Sequence, residues 1–192
     1  MSQNPDTPSS SSTVQAIAKN FRLTGWISFW VQLVLGVVSA IIVLLFAIFS
    51  QRPNSANNNP GTGFGVFLAV CGILILCGGI YLAYRYTIIG QQLQSPNSKN
   101  RPRKTETLEV LRLGLWINLV GMLVTLLGSQ AIVGTLVARS ISPQAATTQL
   151  FDPTRIISGL DMLVVQANIN TVSAHFAGLA VSIWLLNRIT RS

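Results

Sequence analysis

Charge is scarce in this chain. Aspartate, glutamate, lysine and arginine together make up 9% of its 192 residues; only five are acidic, and there is one histidine and two cysteines. A soluble domain holds its surface in water with about 25% charged residues, so a water-facing globular fold is excluded. Five carboxylates and one histidine also leave little material for general acid–base chemistry. The phosphate-cradling Gly-x-x-x-x-Gly-Lys loop, the His-Glu-x-x-His zinc helix and the Gly-x-Ser-x-Gly elbow do not occur. No catalytic residues and no cofactor are expected, and the protein is not read as an enzyme. Cys71 and Cys77 lie six residues apart in an apolar stretch, on different faces of a helix, where they neither pair nor chelate one metal ion. They read as small apolar side chains.

What the chain has instead is apolar sequence in four blocks: residues 24–49, 63–84, 113–138 and 163–186. Each meets the requirement of about 20 mainly apolar residues to cross a hydrocarbon layer. The first is too long and too far from Met1 for a signal peptide, and no small-residue cleavage site follows it. The expected fold is all-α: an integral membrane four-helix bundle occupying residues 18–192, preceded by a disordered Ser/Pro-rich leader at 1–17. Residues 51–63 are polar and rich in Asn, Pro and Gly, and read as a loop. The connection 91–104 breaks at Pro96 and Pro102, with Thr105 a candidate N-cap for the third helix. Asp152–Pro153 has the form of a helix start.

The basic residues are distributed unevenly. Lys19, Arg22, Arg85, Lys99, Arg101, Arg103, Lys104, Arg112, Arg188 and Arg191 flank the spans on one side, and only Arg52, Arg139 and Arg155 on the other. The positive-inside rule then places both termini and the central loop in the cytosol. The net charge of +8 follows from these flanks and favours anionic lipid headgroups. Nucleic acid is not an expected partner, because the basic run at 98–104 has no interleaved aromatics on which bases would stack.

Polar groups recur inside the spans. Asp161, Asn168, His175 and Ser182 repeat every seven residues, with Thr171 and Gly178 between them. Seven residues are nearly two turns, so they share one stripe of the fourth helix. Gly114, Gly121 and Gly128, with Asn118 and Thr125, form a counterpart in the third. Gly25, Ser28, Gln32, Gly36 and Ser39 trace another in the first. Small and polar residues let helices approach closely and bond across the interface in lipid, which marks Gly114, Asn118, Gly121, Gly128, Gln32 and Gly36 as packing positions. Intramembrane ionisable groups also mark ion routes. Asp161, Asn168, Thr171 and His175 are therefore the candidate polar path; no metal-binding set is identified, since one histidine falls short of one. Gln166 and Asn170 face away from the stripe, toward a second helix or a second copy.

The segments NLVGMLVTLLGSQAIVGTLVARS (118–140) and LDMLVVQANINTVSAHFAGLAVSIWLLNRIT (160–190) resemble a family of chloroplast inner-envelope proteins. Its members are described both as a permease linked to iron uptake and as a subunit of the inner-envelope protein translocon. Cyanobacterial relatives form a membrane family of uncharacterised function. The resemblance runs from about residue 18 to residue 190. It implies four transmembrane helices and involvement in iron transport or homeostasis, in protein import, or in both. The short leader suggests a cyanobacterial member, placed in the plasma or thylakoid membrane. The leading expectation is metal-ion transport. The alternative is a non-transporting subunit or assembly factor of a translocon or photosynthetic membrane complex. The partners implied are the lipid bilayer and either further copies of the chain, as a homo-oligomer, or a membrane protein complex.

Overall fold

A computed structural model describes residues 10–50, 60–95, 102–141 and 159–190. They form four helices: α1 Ser10–Ser50, α2 Pro60–Leu93, α3 Lys104–Ile141 and α4 Gly159–Thr190. All four are long and apolar enough to cross a membrane. Consecutive helices pack side by side and α1 closes the ring against α4, while α2 and α4 also meet across the centre. This is a four-helix bundle. The first residues of α1 and the last of α4 lie at the same end of the bundle.

The buried positions explain why these helices associate. Along α1 they are Ala18, Phe21, Gly25, Ser28, Gln32, Gly36, Ser39, Val43 and Phe46, spaced by threes and fours. The same spacing recurs in α3 from Thr107 to Leu136 and in α4 from Asp161 to Ile189. A 3.5-residue repeat keeps one seam facing the partners along the whole helix, as in left-handed knobs-into-holes packing. The outward faces carry the large apolar residues: Phe67 is 61% exposed and Leu127 63%. In water that surface would cost far too much; in lipid it is the solvated face.

Apolar clusters close both ends of the interior, and a polar layer lies between them. Phe21, Leu82, Tyr86, Ile89, Leu111, Leu185 and Ile189 close the end nearest the termini. Phe46, Ile132, Leu136 and Val164 close the other. Between them lie the buried side chains of Ser28, Gln32, Ser39, Asn118, Thr125, Asn168, Thr171 and His175.

Two boundaries differ from expectation. α1 reaches back to Ser10, inside the segment expected as a disordered leader, because Ile17 and Phe21 continue the apolar face and pack into the terminal cluster. Residues 1–9 lie outside the described residues. Thr105 is not the N-cap of α3: the helix already includes Lys104, and the Arg103 carbonyl accepts from both the amide and the hydroxyl of Thr107. The helix start expected at Asp152–Pro153 lies outside the described residues.

Candidate functional site

The polar layer is built from one level of all four helices. Gln32 of α1 and Asn118 of α3 meet at the bundle axis, the Gln32 Nε2 donating to Asn118 Oδ1 at 3.5 Å and to Ser28 Oγ at 3.4 Å. Glycines hold this pair from either side. A Cβ at Gly79 of α2 would stand 2.9 Å from Asn118 Oδ1, and one at Gly178 of α4 would overlap the Gln32 amide. Asn118 Nδ2 donates back to the Gly114 carbonyl at 2.8 Å, which fixes the amide orientation.

His175 is fully buried beside this pair. Its Nε2 faces the Gly72 carbonyl of α2 at 3.2 Å and its Nδ1 faces Asn118 Oδ1 at 3.3 Å. Both neighbours are acceptors. A neutral imidazole donates to one of them; an imidazolium donates to both. The ring lies against Gly121, where a Cβ would overlap it. His175 thus ties α4 to α2 or to α3 as the neutral ring, and to both as the imidazolium. Among the described residues, no three of His, Cys, Asp or Glu come together.

The rest of the fourth-helix stripe points inward as the sequence spacing requires, and Asn168 and Thr171 bond to backbone. Asn168 Nδ2 donates to the Val164 carbonyl at 3.1 Å. Thr171 donates to Ala167 O, which also accepts from Ser39 of α1; both bonds are 2.9 Å. Asp161 is buried near the other end of the helix. Two buried acceptors, Gln32 Oε1 and Asn168 Oδ1, have no hydrogen-bond partner.

The packing candidates fall on three levels. Gly114 faces the Tyr86 hydroxyl, Gly121 faces His175, and Gly128 meets Gly65 and Ala69 of α2. Gly36 packs on Leu76. Sequence reasoning passed over α2, yet Gly65, Gly72, Gly79 and Tyr86 recur every seven residues and supply the surface against which the other stripes close. Tyr86 itself was missed. Its hydroxyl lies 2.9 Å from Ser182 Oγ, and Ser182 donates to the Gly178 carbonyl at 2.8 Å, so Tyr86 is the donor in that pair.

A polar pair stands on the outer face of α4. Gln166 Nε2 donates to Asn170 Oδ1 at 3.0 Å on the exposed face of α4, with Ser173 one turn further. The Ser39–Ala167 bond sets their depth. Ser39 lies ten residues before Phe49, so this level is about 15 Å inside the outer end of the first apolar segment.

Residues 11–190 match the model of the family described as "Protein of unknown function (DUF3611)". The chain is 31% identical over 182 residues to "Protein TIC 21, chloroplastic" of Arabidopsis thaliana, an alignment that covers 92% of this chain and 59% of that protein. The chain therefore spans about three-fifths of the length of that curated relative. No solved structure matches it.

Proposed function

Since the chain belongs to the DUF3611 family and has four helices of membrane-spanning length among its described residues, we propose that it serves as a structural subunit of a multi-chain membrane assembly. The observation that carries this reading is the amide pair on the outer face of α4. In hydrocarbon, a polar group left without a partner is costly. The mutual bond between Gln166 and Asn170 uses one donor and one acceptor, leaving the Gln166 carbonyl and the Asn170 amino group to face outward. A helix from another protomer or another protein would complete them, and Ser173 and Ala177, four residues apart on the same face, allow the close approach that such contacts use. The closed axis supports the same reading, since no methyl group fits at Gly72, Gly114, Gly121 or Gly178 without overlapping a neighbour.

The test is blue-native electrophoresis of membranes carrying the parent and a Gln166→Leu/Asn170→Leu variant. The parent should migrate above monomer mass and the variant should fall toward it while remaining folded. In a background with Cys71 and Cys77 replaced, Ser173→Cys should form oxidative cross-links. A parent that migrates as a monomer, together with a Ser173→Cys variant that never cross-links, would remove the subunit reading.

A second reading, a metal-ion conduit along the axis, draws on Gln32 Oε1 and Asn168 Oδ1, the two buried acceptors without partners. Iron flux into proteoliposomes holding only the purified protein, abolished by His175→Ala at unchanged fold, would establish it in place of the first.

A further inference from the structure

The outer seam between α1 and α2 opens into a groove of about 510 Å³ near the termini. Its two walls are antiparallel and in register, because a Cβ at Gly90 would stand 2.8 Å from the Arg22 amide nitrogen and one at Gly25 would stand 3.1 Å from that of Thr87. The two backbones touch at both points. This register orders the lining by depth. Lys19, Arg22 and Gln91 lie at the mouth, Leu23 and Ile88 below them, and Trp26 and Tyr84 at the inner end. From Lys19 to Trp26 is about 10 Å along the helix.

The aromatic residues mark where the membrane surface falls. Trp26 stacks on Phe29 at 5.4 Å, Trp30 meets Trp26 edge-on at 5.9 Å, and Phe29 lies 6.1 Å from Tyr84. Such a cluster sits where headgroups meet acyl chains, with Leu23 and Ile88 just above it and the cations above them on the watery side. No carboxylate lines the groove, and neither Lys19 nor Arg22 forms an ion pair among the described residues.

We propose that this groove is a binding site for one anionic phospholipid. Its phosphate sits between Lys19 and Arg22, its polar head reaches Gln91, and one acyl chain starts against Leu23 and Ile88 and enters the hydrocarbon at Trp26 and Tyr84. The gradient from charge to hydrocarbon within one groove matches an amphipathic ligand. Free phosphate has no use for the lower half. A zwitterionic lipid finds no acidic side chain for its cationic end.

Native mass spectrometry of the detergent-purified full chain tests the site, with phosphatidylglycerol, phosphatidylcholine and inorganic phosphate as probes. One phosphatidylglycerol should be retained in preference to phosphatidylcholine, and millimolar inorganic phosphate should not displace it. Lys19→Ala/Arg22→Ala should weaken retention roughly thirtyfold, from about 1 kcal/mol for each basic residue near a membrane surface. Ile88→Trp, which fills the groove without changing charge, should weaken it as well. Arg188→Ala, which removes an exposed cation from the same end of the bundle, should not. Melting temperatures measured on each variant confirm that the comparison is between folded proteins. Equal retention of the two lipids, displacement by phosphate, an unaffected pair of groove variants, or an equal loss in Arg188→Ala would each overturn the proposal.

Discussion

His175 and its neighbours show how a membrane interior inverts the usual placement of side chains. In water, a buried histidine, asparagine and glutamine would displace apolar residues from the place where burial stabilises most. Between helices in lipid the apolar groups gain little by turning inward, and contact depends on close approach and hydrogen bonds worth about 0.6 kcal/mol each, with a maximum near 1.7. Gly121 and His175 form one unit in this scheme. Gly121→Ala should destabilise the bundle by about 1–3 kcal/mol, since the added methyl overlaps the imidazole. His175→Ala should cost about 2 kcal/mol through the lost hydrogen bond of the ring and the space left behind. The double variant should be more stable than the sum of the single losses implies, because the methyl then occupies space that the ring vacated. Thermal melts of the three variants in detergent give the coupling energy directly; a coupling of zero would show that the two residues do not share this space.

At the scale of the helices, α2 is fastened at its two ends to different neighbours. Near the termini it meets α1, where Gly90 lies against Arg22 and Ala18, and Gly25 against Thr87. At the opposite end it meets α3. A Cβ on Gly128 would stand 3.1 Å from the Gly65 carbonyl oxygen, and a Cβ on Gly65 would stand 3.0 Å from that of Gly128. Backbone meets backbone at this crossing, so no side chain can move aside to admit a larger residue. Gly65→Leu and Gly128→Leu should each lower the yield of folded protein and destabilise it by about 2 kcal/mol or more. Gly134, which has nothing within 4 Å of a Cβ, is the matched control, and Gly134→Leu should melt within about 0.5 kcal/mol of the parent. Equal melting of Gly128→Leu and Gly134→Leu would show that the α2–α3 crossing does not depend on glycine.

For the whole molecule, the open variable is which side faces the cytosol. The bundle puts the start of α1 and the end of α4 at one end; the ten-to-three distribution of basic residues predicts that this end faces the cytosol. In a background lacking Cys71 and Cys77, a Ser98→Cys variant should react with impermeant maleimide only after the membrane is opened. Ser55→Cys and Ala146→Cys variants should react in intact cells. Labelling of the Ser98→Cys variant from outside would reverse the orientation and place the lipid groove on the opposite leaflet.

The four membrane-length helices among the described residues, their lipid-facing surfaces and the inward faces of α1, α3 and α4 were legible from the amino-acid sequence. The reason is physical: spanning length sets the first, and small or polar residues at seven-residue spacing mark the face that must avoid lipid. His175, Asn118 and Gln32 were each visible as inward-facing residues by that route. Their convergence on one level was not. It depends on how far each helix slides along the next, and that register is set by backbone contacts between residues distant in sequence, Gly25 with Thr87 and Gly65 with Gly128. The same register pairs Tyr86 with Ser182 and points His175 at a carbonyl of α2. It also brings two basic residues of α1 beside Ile88 and Gln91 of α2. A stripe on one helix is a local property of spacing, whereas a site shared among four helices exists only once their relative heights are fixed, and those heights are a property of the packed bundle.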